Sequence, residues 1–510
     1  MNKRTTISGI VLQVLLIASG LLVLAGAQSC KDQPGKKVLQ VASEILGDTT
    51  DETAAEAEPV YALLVAPRMP VAGQSFRVLF TGGKNIKKAH LEISGPSCSL
   101  KSRKSRNGDG LPYWRIDEFD AGSAGKYTAS VILNKKTVHT VEFIISQAKP
   151  AVKSSGTIWK TEKGWDSESE TLYSAWINSL FYTADEGTSW PALNEVTQNQ
   201  ESNILFNYLG INEDDPTGKI RVLMEPDCAD NPFFLRAYFA WKLGLPFGYH
   251  ECNRGWLGKA PTTGNWVTNE SSTSKAHPVL AFNAFLRRLM DGVHSGTART
   301  ALKDETSDYY PVPLTRNGLR PGVVFADPYG HTLILIRWIP QTGDKPGVLL
   351  SVDAQPDNTI AIKRFWKGNF LFTTTDVIGE PGFKAFRPIV MKNNQRRLLK
   401  NEEISSIHGL IPFSMQQKGL DSDRFYLAME RNINPKPLDP EAALLDLIQA
   451  LYEQLQTRVN SVSTGEDYMK AHPGTVIGMP GSANGVFQAG GQWEDFSTPN
   501  RDLRLLIAMD

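Results

Sequence analysis

An excess of charge is missing from this chain. Lys plus Arg and Asp plus Glu each total 54 in 510 residues, so no basic field marks it for nucleic acid. Cysteine is scarce. Four cysteines are too few for a disulfide scaffold, so packing must hold the core. After the first 27 residues no run is long and apolar enough to span a membrane. The marks of several chemistries are also missing: there is no HExxH, no pair of CxxC motifs, no P-loop and no Rossmann glycine pattern. His250-Glu251-Cys252 is compact, but a metal site needs further ligands, and none can be placed. No metal or other cofactor is therefore expected. What remains is ordinary globular composition, 41% hydrophobic and 21% charged, long enough for two to four domains. The local cluster Lys101, Arg103, Lys104, Arg106, flanked by Gly and Asn, reads as a solvated hairpin tip.

The chain opens with an export signal. Lys3 and Arg4 precede an apolar run over about 7–27. Ala25-Gly26-Ala27 fits simple cleavage, whereas Ser29-Cys30 fits lipoprotein processing, with Cys30 as the lipid-attachment residue. The expectation is a lipoprotein-type signal over 1–30, anchoring the protein to a membrane, with secretion and an uncleaved anchor as alternatives. The rest of the chain is expected to be extracytoplasmic under each of them. Residues 31–59, acidic and poor in core formers, read as a linker.

Over 60–147 the period becomes two. Phe76, Val78, Phe80, then Leu91, Ile93, then Val131, Leu133, then Val141, Phe143, Ile145 alternate between Gly-, Pro- and Asn-rich turns. A β-sandwich is expected there. Gly125-Lys126-Tyr127 before a strand resembles the tyrosine corner of immunoglobulin-like sandwiches. Nothing in it carries chemistry. Its expected role is spacing, surface binding or covering the next domain.

A second linker leads to the main domain, expected over 158–390. Helices are expected over 167–181 and 203–209. The stretch 227–246 is the most informative. Asp227, Asp230 and Asn231 are helix-opening types and Pro232 suits a first turn. Phe233, Phe234, Leu235, Tyr238, Phe239, Trp241 and Leu243 make a helix apolar all round, hence buried, and Gly244 with Pro246 stops it. The cap falls somewhere between Asp227 and Asp230. Cys228 stands at the mouth of this helix, where N–H groups and the dipole favour a thiolate and backbone N–H groups suit an oxyanion. Alternatively Cys228 is a small buried hydrophobe, or is disulfide-bonded to Cys252. Residues 253–311 look like an insertion containing a mobile Thr/Ser/Asn/Gly loop and one helix, placed to act as a lid or a specificity loop. Asp227 and Trp190 are weaker candidates for lining a cleft, Trp190 being more often a structural tryptophan.

Further on, His331 starts a strand, and Val348-Leu349-Leu350-Ser351-Val352-Asp353 forms the next. Neighbouring antiparallel strands can place His331 beside Asp353, and the buried helix can bring Cys228 to the ring. Cys228 would be the nucleophile, His331 the base that ionises it and then protonates the leaving amine, and Asp353 the group orienting the imidazole. Asp327 and Asp357 are rivals for the third place.

These segments carry a family resemblance. Asp227-Cys228-Ala229-Asp230, Pro321-Gly322-Val323-Val324-Phe325 and Gly330-His331-Thr332-Leu333-Ile334 resemble NlpC/P60 peptidase motifs. Cys228 before a helix ending Gly244-Leu245-Pro246, then His331 and Val352-Asp353, is similar to the transglutaminase-like core. Both belong to the papain-like superfamily. The resemblance covers about 130 residues and implies an α+β thiol hydrolase core that takes a Cys-His-Asp triad to a peptide or peptidoglycan-peptide substrate in a bacterial cell envelope. A protein-crosslinking transglutaminase, or an inactive envelope binding or assembly protein, are the alternatives. Residues 391–510 are expected to be mostly helical and docked on the core, with Ala443, Leu444, Leu447, Ala450, Leu451 and Leu455 as the apolar stripe of a long helix. Oligomeric state is left open.

Overall fold

The alternation over 62–145 becomes eight strands in two four-stranded antiparallel sheets: β1 (Ala62–Ala66), β2 (Ser75–Gly82), β3 (His90–Ser94), β4 (Ser99–Leu100), β5 (Lys104–Asn107), β6 (Tyr113–Asp120), β7 (Gly125–Leu133) and β8 (Lys136–Ile145). One sheet runs β1-β2-β6-β5 and the other β4-β3-β7-β8. Phe76, Val78, Phe80 and Phe119 of the first share a core with Leu91, Ile93, Tyr127 and Val131 of the second. The Tyr127 hydroxyl donates to the Ser123 carbonyl at 2.9 Å, four residues back, pinning the turn ahead of β7. The computed structural model describes residues 58–478, except 97–98, 152–153, 155, 344, 376 and 394. The expected signal, Cys30 and most of the linker over 31–59 lie outside the described residues.

The other face of the first sheet belongs to the main body. Ala62, Leu64, Leu79, Trp114 and Ile116 share a core with the central helices, which is why β1 is buried along its whole length. Trp114 Nε1 donates to Asn178 Oδ1 at 2.7 Å, and Asn178 Nδ2 donates to the Ile336 carbonyl at 2.7 Å. A buried polar chain thus ties the strands of this region to a central helix and to the main sheet. Of the roles expected for 60–147, covering the next domain is the one this packing matches.

The main sheet has seven antiparallel strands in the order β12-β17-β13-β14-β15-β16-β9. They are β9 (Ser189–Trp190), β12 (Tyr309–Pro311), β13 (Val324–Ala326), β14 (Thr332–Ile339), β15 (Val348–Ala354), β16 (Ile360–Arg364) and β17 (Gly382–Phe386). Both faces are covered. Ile334 and Ile336 point to one core and Leu333 and Leu335 to another. A register shift between Leu335 and Arg337 then turns Trp338 to the second core. The first face carries α1 (Ser167–Phe181), a short α2 (Leu193–Thr197), α3 (Asp230–Leu243) and α4 (Pro278–Gly292); the second carries α6 (Ser422–Ile433), which follows a short α5 (Asn401–Ser406). The architecture is α+β, with several antiparallel sheets and helices packed on them.

α3 is the central element. Thirteen of its fourteen residues, from Asp230 to Lys242, are buried, as an all-round apolar helix requires. It stops where expected. Gly244 takes the left-handed conformation at φ 65°, and Leu245 N–H returns to the Ala240 carbonyl at 2.8 Å. Its last turn holds a fully buried Lys242, whose ammonium lies 2.6 Å from Glu213 and 2.5 Å from Asp214.

Three expectations change. Residues 203–209 are a run of turns rather than a helix. The Asn203 side chain accepts from Leu205 N and Trp176 Nε1 and donates to the Thr197 carbonyl and the Tyr238 hydroxyl, so side-chain bonding displaces the helical ladder. The expected insertion over 253–311 is part of the body. β11 (Thr263–Thr268) pairs with β10 (Gly248–Cys252), and Phe282 of α4 stacks on Trp241 with centroids 4.3 Å apart. Finally, α6 docks through Phe425, Met429 and Ile433, but the long helix α7 (Pro440–Ala471) does not bury its stripe. Ala450 is buried, while Leu444, Leu447 and Leu455 are exposed. The expected apolar tail, Leu503 to Ile507, lies outside the described residues.

Candidate active site

The cap of α3 is settled by its hydrogen bonds. Asp227 Oδ1 accepts from Ala229 N at 2.8 Å and from Asp230 N at 3.2 Å, and the Asp227 carbonyl accepts from Asn231 N at 3.1 Å. Asp227 is thus the capping side chain, and Cys228 occupies the turn that opens the helix. Asp227 acts through this turn rather than as a cleft wall. The same bonds commit the Ala229 and Asp230 N–H groups, so neither is available as an oxyanion donor.

His331 immediately precedes β14. The turn before it is shaped by Asp327, whose carboxylate accepts from Tyr329 N at 2.8 Å, and by Gly330 at φ 103°, a conformation that favours glycine. Ile334 pairs with Val352 and Leu335 with Ser351, so one step on Leu333 falls opposite Asp353, and His331 is its diagonal neighbour on the same face. His331 Nε2 lies 2.9 Å from Asp353 Oδ2, which also accepts from Gln355 Nε2 at 2.8 Å. That leaves Nδ1 as the ring nitrogen on the side away from Asp353. The Cys228 sulfur is 3.8 Å from the carbonyl oxygen of Gly330, the residue joined to His331. The Cys228 sulfur thus lies against the turn that leads into His331, at the end of the sheet that holds the His331–Asp353 pair. Asp357, the other rival, accepts from Thr359 N at 3.0 Å and shapes its own turn.

Both Cys228 and Cys252 are free thiols, so the disulfide alternative falls. The two differ in setting. Burial, helped by Asp308, pushes the Cys252 thiol up to about 12. Its neighbours are engaged elsewhere: His250 Nδ1 is bonded to Asp308 at 2.6 Å with its ring stacked on Trp266, and His294 Nε2 donates to the Cys252 carbonyl at 2.9 Å. Trp190 lies two strands from Asp353 in the main sheet. It pairs with Ile360 on the edge strand β9 and packs edge-on against Phe181, partly buried against the core. Among the described residues no group of three or more His, Cys, Asp or Glu is placed to hold a metal ion. No protein-family model matches the chain, and no curated protein matches it in sequence.

Two residues with no sequence signal support the site. Arg299, buried at the end of the 3₁₀ turn Ser295–Arg299, donates to the Pro328 carbonyl at 2.7 Å and so braces the turn leading to His331. Burial lowers its pKa, with Asp327 and the Cys228 sulfur acting against that shift. Lys384 of β17 holds the backbone on both sides of Arg299, donating to the Ala298 carbonyl at 2.5 Å and the Thr300 carbonyl at 3.4 Å. Burial pushes this lysine down to about 7. Neither belongs to a short motif, and Arg299 lies inside what reads as an insertion. Only the folded chain brings Arg299 to the turn before His331 and Lys384 to the backbone around Arg299.

Asp230 gives the site a pH signature. Burial, reinforced by the charge of Asp227, pushes its carboxyl up to about 8, outweighing the helix dipole that favours an anion there. The folded state keeps this proton at pH values where the unfolded chain has lost it. Stability is therefore expected to fall as pH rises from about 4 to about 8. Asp230→Asn should remove this slope and raise the urea midpoint at pH 8.5 relative to the wild type, with little change at pH 4. A slope unchanged in the variant would show that other groups set it.

Proposed function

We propose that this protein is an extracytoplasmic cysteine-dependent acyl-transfer enzyme that hydrolyses peptide amide bonds of the cell envelope. The observation that carries this reading is the His331–Asp353 hydrogen bond beside a helix-opening Cys228 that is not oxidised. The order of parts supports a papain-like core: thiol at a helix start, imidazole at a strand start, carboxylate on the next antiparallel strand. The Tyr127–Ser123 hydrogen bond likewise supports an immunoglobulin-like reading of the two N-terminal sheets. The apolar leader over about 7–27 with Cys30 supports export and lipid anchoring.

In the proposed reaction His331 takes the Cys228 proton, and the nearby Arg299 charge favours the thiolate. The sulfur attacks the amide carbonyl carbon. As the C–N bond breaks, the imidazolium gives its proton to the amine, and a thioester remains. Water, deprotonated by His331, then releases the carboxylate and the free thiol. Asp353 holds the ring and stabilises its charged form throughout.

The test uses the purified chain with an electrophilic thiol probe and with muropeptides. Cys228 should label faster than Cys252, and cleavage of a stem-peptide amide should disappear in Cys228→Ala. Equal labelling of the two thiols, or cleavage that survives in Cys228→Ala, would sink the proposal.

A further inference from the structure

We infer that α7 joins two copies of this chain through a heptad seam on its outward face. The seam is Leu445, Ile448, Tyr452, Leu455, Val459 and Val462, with spacings of three and four residues throughout. Leu445, Tyr452 and Val459 take position a, and Ile448, Leu455 and Val462 take position d, the apolar positions of a coiled coil. All six are between 40% and 63% exposed in the single chain. Isolated exposed apolar residues need no explanation, but six in strict register along one stripe do.

The helix is mounted to present this stripe. Ala450, at position f and diametrically opposite the seam, is 2% exposed. Glu453, at b, reaches Glu186, whose carboxyl is pushed up to about 7 mainly by burial. The polar outer face of a coiled coil is thus the face resting on the body, and the adhesive face is turned to solvent. The next a position is Glu466, which ends the seam after three heptads.

The occupant is a second copy. At the flanking e and g positions, Gln449, Leu451, Gln456, Arg458, Ser463 and Gly465, only Arg458 is charged, so two identical seams meet without a row of like charges. Leu444, at g and 55% exposed, widens the apolar contact. The sequence after residue 478 carries no seam to match it. Its longest unbroken apolar run after residue 478 is Leu505-Leu506-Ile507-Ala508-Met509, which reaches at most about 18 Å, against a seam of about 27 Å. An anionic lipid surface is disfavoured by charge, because residues 440–462 hold three acidic side chains and one basic. This inference stands independently of the chemistry proposed at Cys228.

Sedimentation equilibrium of the full chain tests it. The wild type should reach the mass of two chains as its concentration is raised. Tyr452→Lys/Leu455→Lys should sediment as one chain with unchanged far-ultraviolet circular dichroism and melting temperature, since both side chains are exposed in the single chain. Leu447→Lys, equally exposed but at position c, should still dimerise. A wild type that stays single, a dimer that survives Tyr452→Lys/Leu455→Lys, or equal loss in Leu447→Lys would overturn the inference. So would a single-chain wild type that sediments with phosphatidylglycerol vesicles and loses them in the double variant.

Discussion

His331→Ala is expected to slow amide turnover by about 10²–10⁴-fold, the range associated with losing a positioned acid–base group. The argument starts from the thiol. A free cysteine is a weak nucleophile at neutral pH unless a base or a cation favours its ionised form. In this fold the Cys228 sulfur lies 3.8 Å from the Gly330 carbonyl, next in the chain to His331, and Asp353 binds Nε2 of that ring. On the proposed mechanism, removing the imidazole removes both the base and the acid for the leaving amine. The rest of the site should survive, because the His331 side chain is partly exposed and belongs to neither core. Asp353→Asn should also slow turnover, since the ring loses the charge that stabilises its protonated form. Rates of thiol-probe labelling and of muropeptide cleavage, measured on variants with wild-type melting temperature, give the result. Labelling of Cys228 at the wild-type rate in His331→Ala would remove His331 from the mechanism.

Lys242→Met is expected to lower folding stability by about 3–5 kcal/mol, the usual penalty for breaking a buried ion pair from one side. Lys242, Glu213 and Asp214 all have side chains with no exposed surface. Without the ammonium, two carboxyl groups would be left in a dry site, one of which burial has already pushed up to about 6. The same carboxylates organise the adjoining loop. Glu213 accepts from Leu209 N at 2.7 Å and Asp214 from Asn207 N at 2.7 Å, where Asn207 is held at φ 51°. The lysine thus anchors a strained turn to the helix that carries Cys228. Chemical denaturation measures the loss, and a midpoint within experimental error of the wild type would refute it.

Much of the candidate site could be read from residue types. Cys228 before an apolar helix, His331 before a strand and Asp353 on the following strand are local signals, and the choice of Asp353 over Asp327 and Asp357 needed only the strand register. The supporting cations could not be read this way. Arg299 sits in a stretch without periodicity, and its value comes from one bond to Pro328 across 29 positions. The capping role of Asp227 was open for the same reason, since Asp227 and Asp230 are equally good helix openers and only the N–H geometry separates them.

Local chemistry was enough to specify the period-two strands, the buried helix with its Gly244 stop, and the order of thiol, imidazole and carboxylate along the chain. Each of these follows from steric preference or from a hydrogen bond between near neighbours. Folding decided which faces are covered. It buried both sides of the first sheet, absorbed residues 253–311 into the body, and left the apolar stripe of α7 facing solvent. Periodicity states which residues share a face, whereas burial depends on what another part of the chain brings to that face.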